Sequence, residues 1–319
     1  MNNKLKSVDI VYVIFNNYED IINSLLSIKK QVNLNLNINI FIVDNSFSIT
    51  KKSKIENLKS HFINILENKT IKSIKYIPNK DNIGFGKACN QAAEISNSEK
   101  ILFLNCDTIF IENKNLIEEL YNKCNKKHVI VGPLVINQNN QYEESCFSFS
   151  PRSILLKPLK TIIKIKSIKN KYLKQKLYNI INSTKYNNLY KKPKFVDWIS
   201  GCCFLIEREF FEYVKGFDSK YFVYFEDVDL CRTARHLNRN VIYYPLTEII
   251  HNAQYESKRT NGLIFTLLSN KASRYHIFSW LIYLIKWRSD LFLLIFKHLN
   301  IKYMNLYKKI NFGRFDNFS

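Results

Sequence analysis

A short apolar strand that ends in polar and acidic residues is the feature that most constrains the fold of this chain. Residues 101–108 are ILFLNCDT, in which four apolar residues precede the polar ones. An apolar run of this length, bounded by polar sequence, is typical of a parallel strand with both faces covered. Open α/β sheets bind ligands at the carboxyl ends of their strands, where Asn105 and Asp107 lie. Asp107 can bind a hard cation there, or it can cap the next turn.

Apolar strands alternate with amphipathic helices on both sides of this run. Strands are predicted at residues 8–15, 38–43 and 71–77, and helices at 19–30, 51–68 and 87–96. Further strands are predicted at 129–136, within 195–206 and at 240–245. The alternation predicts an α/β fold in which helices flank a mostly parallel, nucleotide-binding sheet.

Two features near the predicted strand ends suit a nucleotide. Asp44 ends the second strand, where it can bind a ribose or base edge or cap the following turn. The loop after the third strand contains Gly84 and Gly86 directly before a helix, so its backbone N–H groups can approach a phosphate. This loop is a weak signal, because it matches neither a P-loop nor a dinucleotide fingerprint.

Three carboxylates stand in an aromatic setting further along the chain. Residues 222–235 are FVYFEDVDLCRTAR, which contains Glu226, Asp227 and Asp229. Acidic residues are costly in apolar surroundings, so this cluster indicates chemistry, or else it caps a helix. His251 follows the last predicted strand, and a lone histidine is as a rule structural.

Charge and cysteine usage narrow the class of protein. The chain of 319 residues is 46% hydrophobic and carries 48 Lys and Arg against 27 Asp and Glu, a net charge of +21. A polyanionic partner is therefore expected: nucleic acid, an anionic membrane surface or a phosphorylated substrate. Because Lys is enriched throughout the chain, the charge is no sign of specific nucleic-acid binding, and no nucleic-acid partner is predicted. Seven Cys without a CxxC pair fit neither a zinc site nor a disulfide framework. No signal peptide or membrane span is predicted, which indicates a cytoplasmic protein.

Two basic regions are predicted to lie outside the nucleotide-binding core. Residues 154–192 are rich in Lys and contain no Asp or Glu, and 263–319 combine aromatic and aliphatic clusters with Lys and Arg. We expect a domain at 1–262 with a Lys-rich helical insertion, and a C-terminal helical region at 263–319. Both basic regions suit the inner face of an anionic membrane, although the insertion can equally be a solvated helix.

Taken together, the segments resemble a family 2 glycosyltransferase of the GT-A fold, especially its rhamnosyltransferase-like branch. The resemblance covers about residues 8–275 and rests on six motifs in the same order. These are IVYVIFNNYED (10–20), IVDNSF (42–47), DNIGFGKACNQA (81–92), FLNCDT (103–108), VDWISGCCFLI (196–206) and YFEDVDLCRTAR (224–235). FLNCDT is similar to the LNPDT form of the metal-binding DxD motif, and YFEDVDLCRTAR is similar to the ED motif.

The resemblance implies a role for each matching residue. The donor would contact Asn16, Asp44, Asn82, Gly84 and Asn105; Asp107 and His251 would hold Mg²⁺ or Mn²⁺; Asp227 would be the catalytic base, supported by Glu226 or Asp229; and Trp198 and Gly201 would contact the acceptor. Asn105 and Cys106 replace the first Asp and the usual Pro of the metal motif. One carboxylate is then left for the cation, so we expect weak cation binding until the nucleotide arrives.

The implied activity is inverting transfer of a sugar from a nucleoside diphosphate sugar, such as dTDP-rhamnose or a UDP-sugar. The acceptor would be a hydroxyl of a growing cell-surface glycan or a lipid-linked sugar. A sugar nucleotidyltransferase is one alternative, but it needs a Gly-rich basic loop after the first strand, where residues 15–17 are Phe-Asn-Asn. A non-enzymatic basic protein that binds membrane or nucleic acid is another, and it leaves the carboxylates unexplained.

Overall fold

Residues 6–29, 31, 36–46, 51–112, 114–149, 192–252 and 271–290 are described by the structure, a computed structural model. The chain divides into two compact units, Met1–Ser148 with Tyr186–Arg259 and Phe149–Lys185 with Thr260–Ser319. The predicted Lys-rich insertion lies outside the described residues except for its last one. Its helical character and the predicted boundary at 262/263 stay predictions.

The first unit is built on a mixed sheet. The strands of this unit are β1 (Lys6–Ile14), β2 (Leu36–Asp44), β3 (Ile71–Pro78), β4 (Lys100–Asn105), β5 (Thr108–Phe110), β6 (His128–Ile136), β7 (Cys146–Phe147), β8 (Lys194–Val196), β9 (Trp198–Ile199), β10 (Cys203–Glu207) and β11 (Asn240–His251). The strands of the mixed sheet pair in the order β3-β2-β1-β4-β10-β6-β11-β5, and β8 adds to β11. Parallel pairing joins β3, β2, β1 and β4, and also β6 and β11, whereas β10 is antiparallel to both β4 and β6. The predicted α/β fold with a mostly parallel sheet is confirmed.

Helices cover both faces of this sheet. Alternate residues of its central strands point to opposite faces, and apolar residues on both faces need to be buried. On β4, Leu102 and Leu104 join one buried apolar cluster, whereas Ile101 and Phe103 join the other. A strand with neither face in water is what the apolar run at 101–104 predicts. The helices of this unit are α1 (Tyr18–Ile28), α2 (Lys52–Leu66), α3 (Phe85–Glu94), α4 (Leu116–Lys123), α5 (Arg208–Tyr213) and α6 (Glu226–His236).

The last strand is longer than its sequence predicts. The sequence predicts a strand at residues 240–245. Instead β11 continues to His251, and its register with β6 shifts between Tyr244 and Glu248. The irregularity absorbs Pro245, and the resumed strand pairs His251 with Thr108 of β5. Because β5 begins three residues after the end of β4, this pairing places His251 near the carboxyl end of β4.

In the second unit the structure describes residues 271–290, which contain the helix α7 (Lys271–Lys286). Three apolar side chains on one stripe of α7 are exposed: Phe278 by 63%, Leu281 by 43% and Ile285 by 64%. Exposed Lys271 and Arg274 precede them on the same stripe. Within the described ranges, no helix has the length and apolar character needed to cross a bilayer.

Candidate active site

The carboxyl end of β2 holds a fully buried carboxylate. Asp44 Oδ2 accepts hydrogen bonds from the hydroxyls of Tyr18 (2.7 Å) and Tyr76 (2.5 Å). Its Oδ1 accepts from the backbone N–H (2.8 Å) and the hydroxyl (2.7 Å) of Ser46. Burial, together with the Asp44 charge, raises the pKa of Tyr18 to about 12, so this hydroxyl remains a donor at neutral pH. Both carboxylate oxygens of Asp44 are thus hydrogen-bonded within the protein, and its contact with a nucleoside stays a prediction.

The loop after β1 lies beside this carboxylate. Asn16 has a left-handed backbone (φ 68°), and its N–H donates to the Ser46 hydroxyl at 2.9 Å. Lys51 Nζ donates to Asn16 Oδ1 and, at 2.9 Å, to the carbonyl of Ser46. Phe15, next to Asn16, is 52% exposed. The sequence analysis named neither Phe15 nor Lys51 as a candidate, although an exposed aromatic residue beside a predicted nucleotide site is itself a signal.

The glycine loop before α3 contacts the segment that leads into α6. Asn82 Oδ1 accepts the N–H of Gly84 at 2.9 Å. Gly84 has φ +91°, and a Cβ there would stand 2.4 Å from the carbonyl oxygen of Phe222. The same carbonyl accepts the N–H of Phe85 at 2.8 Å. Only glycine permits this approach, so the loop fixes the start of α6 as well as facing the site.

A cluster of polar side chains lies where β4 and β11 end. His251 Nε2 is 3.4 Å from Asp107 Oδ1 and 3.5 Å from Asn105 Nδ2. The other ring nitrogen of His251, Nδ1, is 3.1 Å from Glu143 Oε2. Burial acts to lower the pKa of His251, but its hydrogen bonds and charge interactions with Asp107 and Glu143 outweigh it and raise the pKa. Sequence reasoning predicted three of these four residues and missed Glu143.

The donor atoms of this cluster fit a divalent cation. Two ligands at right angles, each about 2.1 Å from Mg²⁺, lie about 3.0 Å apart, which is close to the 3.4 Å between Asp107 Oδ1 and His251 Nε2. Within the described residues, no group of three or more His, Cys, Asp or Glu is arranged to hold a metal. Such a pair suits a cation that takes its remaining ligands from a diphosphate and water.

The start of α6 carries the predicted base. Tyr224 (φ 70°) and Phe225 (φ 69°) both adopt the left-handed conformation, which is costly for non-glycine residues and concentrates at functional sites. Asp227 Oδ2 accepts the N–H of Gly201 at 2.7 Å, and Oδ1 accepts the N–H of Val228 at 2.8 Å. The second bond satisfies one free N–H of the first turn, as the capping alternative expects. Burial raises the pKa of Asp227 above its ordinary value despite these bonds.

The two neighbouring carboxylates of this cluster are more deeply buried. Glu226 Oε2 has no hydrogen-bond partner within the part of the chain that the structure describes. Its burial, with the Asp227 charge beside it, raises the pKa of Glu226 to about 8. Asp229 accepts a 3.2 Å hydrogen bond from the hydroxyl of Tyr221. Neither residue is the N-cap of α6, which is Phe225.

Consecutive residues before β10 connect the Asp107 cluster to Asp227. The N–H of Asn105 donates to the carbonyl of Cys202 at 2.9 Å, and the preceding residue is Gly201, which binds Asp227. Burial raises the pKa of the Cys202 thiol to about 12; the charges of Asp107, Glu143 and Asp227 add to this, against a hydrogen bond with Ser200. The segment Gly201–Cys202 thus binds Asp227 directly and binds Asn105, two residues before Asp107.

The predicted acceptor residues differ in what they contact. Trp198 lies on β9 and stacks on Phe147 of β7, with ring centroids 4.0 Å apart. Next to it, Asp197 forms an ion pair with Arg235 of α6 at 3.3 Å. A Cβ on Gly201 would lie 3.1 Å from Asp227 Oδ2. Gly201 thus positions the predicted base, and contact of either residue with an acceptor stays a prediction.

Comparison with known proteins decides the family. The model of glycosyl transferase family 2 matches residues 9–214. The chain belongs to this family. Its sequence is 39% identical over 64 residues to N-acetylglucosaminyl-diphospho-decaprenol L-rhamnosyltransferase of Mycobacterium tuberculosis, covering 20% of this chain and 21% of that protein. It is 33% identical over 93 residues to rhamnosyltransferase WbbL of Escherichia coli, covering 29% and 32%.

A longer alignment and a solved structure extend the comparison. The low-salt glycan biosynthesis hexosyltransferase Agl10 of Haloferax volcanii is 26% identical over 191 residues, which cover 58% of this chain and 54% of that protein. The alignments thus span from about a fifth to about half of these relatives. The crystal structure of GalNAc-T7 with UDP, GalNAc and Mn²⁺ shares the fold, with a TM-score of 0.56, 14% identity, and coverage of 84% of this chain and 48% of that one.

These findings confirm the predicted family and its likeness to rhamnosyltransferases. Membership of family 2 favours a glycosyltransferase over the sugar nucleotidyltransferase and over the non-enzymatic basic protein. The GT-A fold is confirmed as well.

Proposed function

We propose that this protein is a metal-dependent, inverting glycosyltransferase that moves a sugar from a nucleoside diphosphate sugar to the hydroxyl of a glycan or lipid-linked acceptor. The observation that carries the proposal is the pair of hydrogen bonds made by Gly201 and Cys202. One binds Asp227 and the other binds Asn105 beside Asp107. The predicted proton acceptor and the predicted cation site would therefore lie on either side of one short segment.

The donor would lie across the carboxyl ends of β1, β2 and β4. Exposed Phe15 offers an aromatic face on which a base can stack, beside Asn16 and the buried Asp44. Asn82 and Gly84 would line the donor from the neighbouring loop, with the N–H of Gly84 already bound to Asn82 Oδ1. Asn105 and the start of α6 would then face the diphosphate, where the positive end of the helix dipole favours negative charge.

Asp107 and His251 would hold Mg²⁺ or Mn²⁺ at the diphosphate. When bound, the cation would act as a Lewis acid for the charge that develops on the leaving phosphate oxygen. Asp107 would supply a hard carboxylate oxygen from the turn between β4 and β5, and His251 would supply Nε2 from the end of β11, which pairs with β5. The solved GalNAc-T7 structure, which shares this fold, contains Mn²⁺ together with UDP.

Asp227 would accept the proton of the acceptor hydroxyl. As the acceptor oxygen forms its bond to the anomeric carbon, the bond from that carbon to the diphosphate oxygen breaks, and the hydroxyl proton moves to the Asp227 carboxylate. Attack opposite the leaving group inverts the anomeric centre. Burial raises the pKa of Asp227, which makes it a stronger base than an exposed aspartate, and Gly201 holds one of its oxygens in place.

The rhamnosyltransferase relatives guide the choice of substrates. The M. tuberculosis relative is named for transfer of L-rhamnose to a diphospho-decaprenol acceptor. We propose a dTDP-rhamnose or UDP-sugar donor and an acceptor on a cell-surface glycan or on a lipid carrier. Trp198, which stacks on Phe147, lies three residues before Gly201, whose N–H binds Asp227, and its aromatic ring would pack against an acceptor sugar.

The direct experiment is release of nucleoside diphosphate from a panel of sugar nucleotides with Mg²⁺ or Mn²⁺. The proposal expects release from one donor class, its loss with EDTA, and its return when the cation is restored. Release of pyrophosphate from a nucleoside triphosphate and a sugar phosphate would instead support the nucleotidyltransferase. No turnover of any donor with any acceptor in a lipid-linked saccharide panel would contradict the proposal.

The helix α7 would hold the enzyme on an anionic membrane surface. Its exposed stripe runs from Lys271 and Arg274 through Phe278, Leu281 and Ile285. Two basic residues followed by three apolar residues on one stripe match a helix that lies in the lipid interface. Each basic residue contributes about 1 kcal/mol to binding near anionic lipid. The net charge of +21 complements such a surface. This placement suits an enzyme whose acceptor is attached to lipid.

A further inference from the structure

Glu143 contacts the ring nitrogen of His251 that faces away from Asp107. Its Oε2 lies 3.1 Å from His251 Nδ1, whereas Nε2 faces Asp107 Oδ1 at 3.4 Å. The imidazole is therefore held between two carboxylates, one on each ring nitrogen. The two contacts are not equivalent, because only Asp107 belongs to the motif at the end of β4.

The backbone around Glu143 is fixed by a turn after β6. Asn137 Oδ1 accepts the N–H groups of Asn139 (2.9 Å) and Gln141 (3.0 Å), and Asn140 takes a left-handed conformation at φ 55°. The chain then returns, and the N–H of Glu143 donates to the carbonyl of Val135 at 2.9 Å. The turn follows β6, which pairs with β11, the strand that carries His251. The turn thus brings the Glu143 side chain to His251.

The neighbours of Nε2 indicate which ring nitrogen carries the proton in the neutral imidazole. The amide nitrogen of Asn105, a donor, lies 3.5 Å from Nε2. Asp107 Oδ1, an acceptor, also lies 3.4 Å from Nε2, but the carboxylate contact at Nδ1 is shorter, at 3.1 Å. The proton of the neutral imidazole therefore lies on Nδ1, and the Asn105 donor faces the lone pair on Nε2. Glu143 Oε2 is an acceptor at hydrogen-bond distance from Nδ1. In metal sites, the histidine ligand commonly donates its second N–H to a carboxylate in this way.

We infer that Glu143 is a positioning residue, which holds the proton of His251 on Nδ1 so that Nε2 presents its lone pair to a divalent cation shared with Asp107. The inference rests on the proposed function, which places the cation there. It adds to that function a residue from outside the six motifs. Glu143 acts through His251 and is not itself a ligand, in keeping with the lack of a three-residue metal group among the described residues.

The first test measures Mn²⁺ affinity without turnover. Binding is followed by the loss of the free Mn²⁺ signal in electron paramagnetic resonance, with UDP, dTDP and GDP each added as the diphosphate. We expect E143A to weaken Mn²⁺ binding by about 10- to 100-fold, the usual effect of losing such a partner. E143Q keeps an acceptor for Nδ1–H and should recover most of the loss. E144A, at the exposed neighbouring position, is the matched control and should bind Mn²⁺ as the wild type does.

The second test reports the tautomer of His251 directly. Long-range ¹H–¹⁵N spectra of the full chain with Mg²⁺ and the same diphosphate assign each of the six histidines, with H251A to identify the signal. We expect the Nδ1–H form in the wild type and in E143Q, and a mixture or the Nε2–H form in E143A. A purely structural role for Glu143 would change the melting temperature but not this tautomer.

The outcomes separate this inference from the proposed function. If D107A and H251A weaken Mn²⁺ binding while E143A does not, the inference is overturned and the cation site stands. If E143Q loses as much affinity as D107A, Glu143 is a ligand and the positioning role is wrong. If D107A also binds Mn²⁺ normally, both the inference and the proposed cation site are wrong.

Discussion

The backbone N–H of Gly201 donates a 2.7 Å hydrogen bond to Oδ2 of Asp227, and a side chain on Gly201 would meet that same oxygen. A glycine just before β10 thus sets the position of the predicted base across 26 residues of sequence. The absence of a Cβ at residue 201 is what allows the carboxylate to approach the backbone. This contact gives a test that leaves the chemistry of Asp227 itself unaltered.

Replacing Gly201 by alanine should displace Asp227 without removing it. The new Cβ would lie 3.1 Å from Oδ2, so the carboxylate must move by a few tenths of an ångström. Misplacement by about 1 Å can cost about 10²-fold in rate, so we expect kcat to fall about tenfold with little change in donor affinity. Steady-state kinetics and donor calorimetry measure the two quantities. A G201A enzyme with wild-type kcat would show that this contact does not position the base.

Replacing Asp107 by alanine should abolish metal-dependent donor binding while the fold persists. The loss should be at least about 100-fold in affinity, because a ligand matters no less than the residues that orient it. Calorimetry with donor and Mn²⁺ measures it, and E56Q on the exposed face of α2 is the control. Circular dichroism should show an unchanged fold. Unaltered affinity in D107A would remove Asp107 from the donor site.

The buried Glu226 should make the stability of the protein depend on pH. Burial, and the Asp227 charge beside it, raises the pKa of Glu226 from 4.5 to about 8. Between these values the folded chain binds a proton that the unfolded chain releases, so stability falls as the pH rises through this window. E226Q removes the effect, and its melting temperature should drop less than that of the wild type between pH 5 and pH 8. Equal drops in both proteins would contradict the raised pKa.

The sequence predicts the sheet better than it predicts the contacts between distant loops. The apolar run at 101–104 predicts a strand covered on both faces, and Leu102 and Phe103 do point into different clusters. Periodicity and local composition carry that information. Glu143 has no such signal, since it lies in an irregular segment after a turn, and only the pairing of β6 with β11 brings it to His251. The strand predicted at 240–245 also ended too early, because the sequence does not reveal the register shift after which β11 continues to His251.

The glycine loop illustrates the same limit. Its sequence suits a phosphate cradle, yet the N–H of Phe85 is used to bind the carbonyl of Phe222. Asn90 of α3 likewise forms a pair of hydrogen bonds with the backbone of Phe217. Both contacts join segments more than 120 residues apart, and no local pattern records them.

Binding of the protein to anionic vesicles tests the role of α7. Each half-buried apolar side chain contributes about 1 kcal/mol to lipid binding, so F278E/I285E should bind about 30-fold more weakly than the wild type. I63E, at a 76% exposed apolar position on α2, is the control and should bind normally. Binding should also weaken with salt, because screening reduces the attraction of the basic residues. If the wild type ignores anionic vesicles at low salt, α7 is not a membrane-binding helix.

The most direct test of the central claim is the transfer rate of D227N, measured as nucleoside diphosphate released in the presence of donor, cation and acceptor. Asparagine keeps the size and most of the hydrogen bonding of Asp227 but cannot accept the proton. We predict unchanged donor affinity and a transfer rate lower by about 10²- to 10⁴-fold, with smaller losses in E226Q and D229N. Near-normal transfer by D227N, with loss in E226Q or D229N, would assign the base to that neighbour. Activity in all three variants would contradict the mechanism.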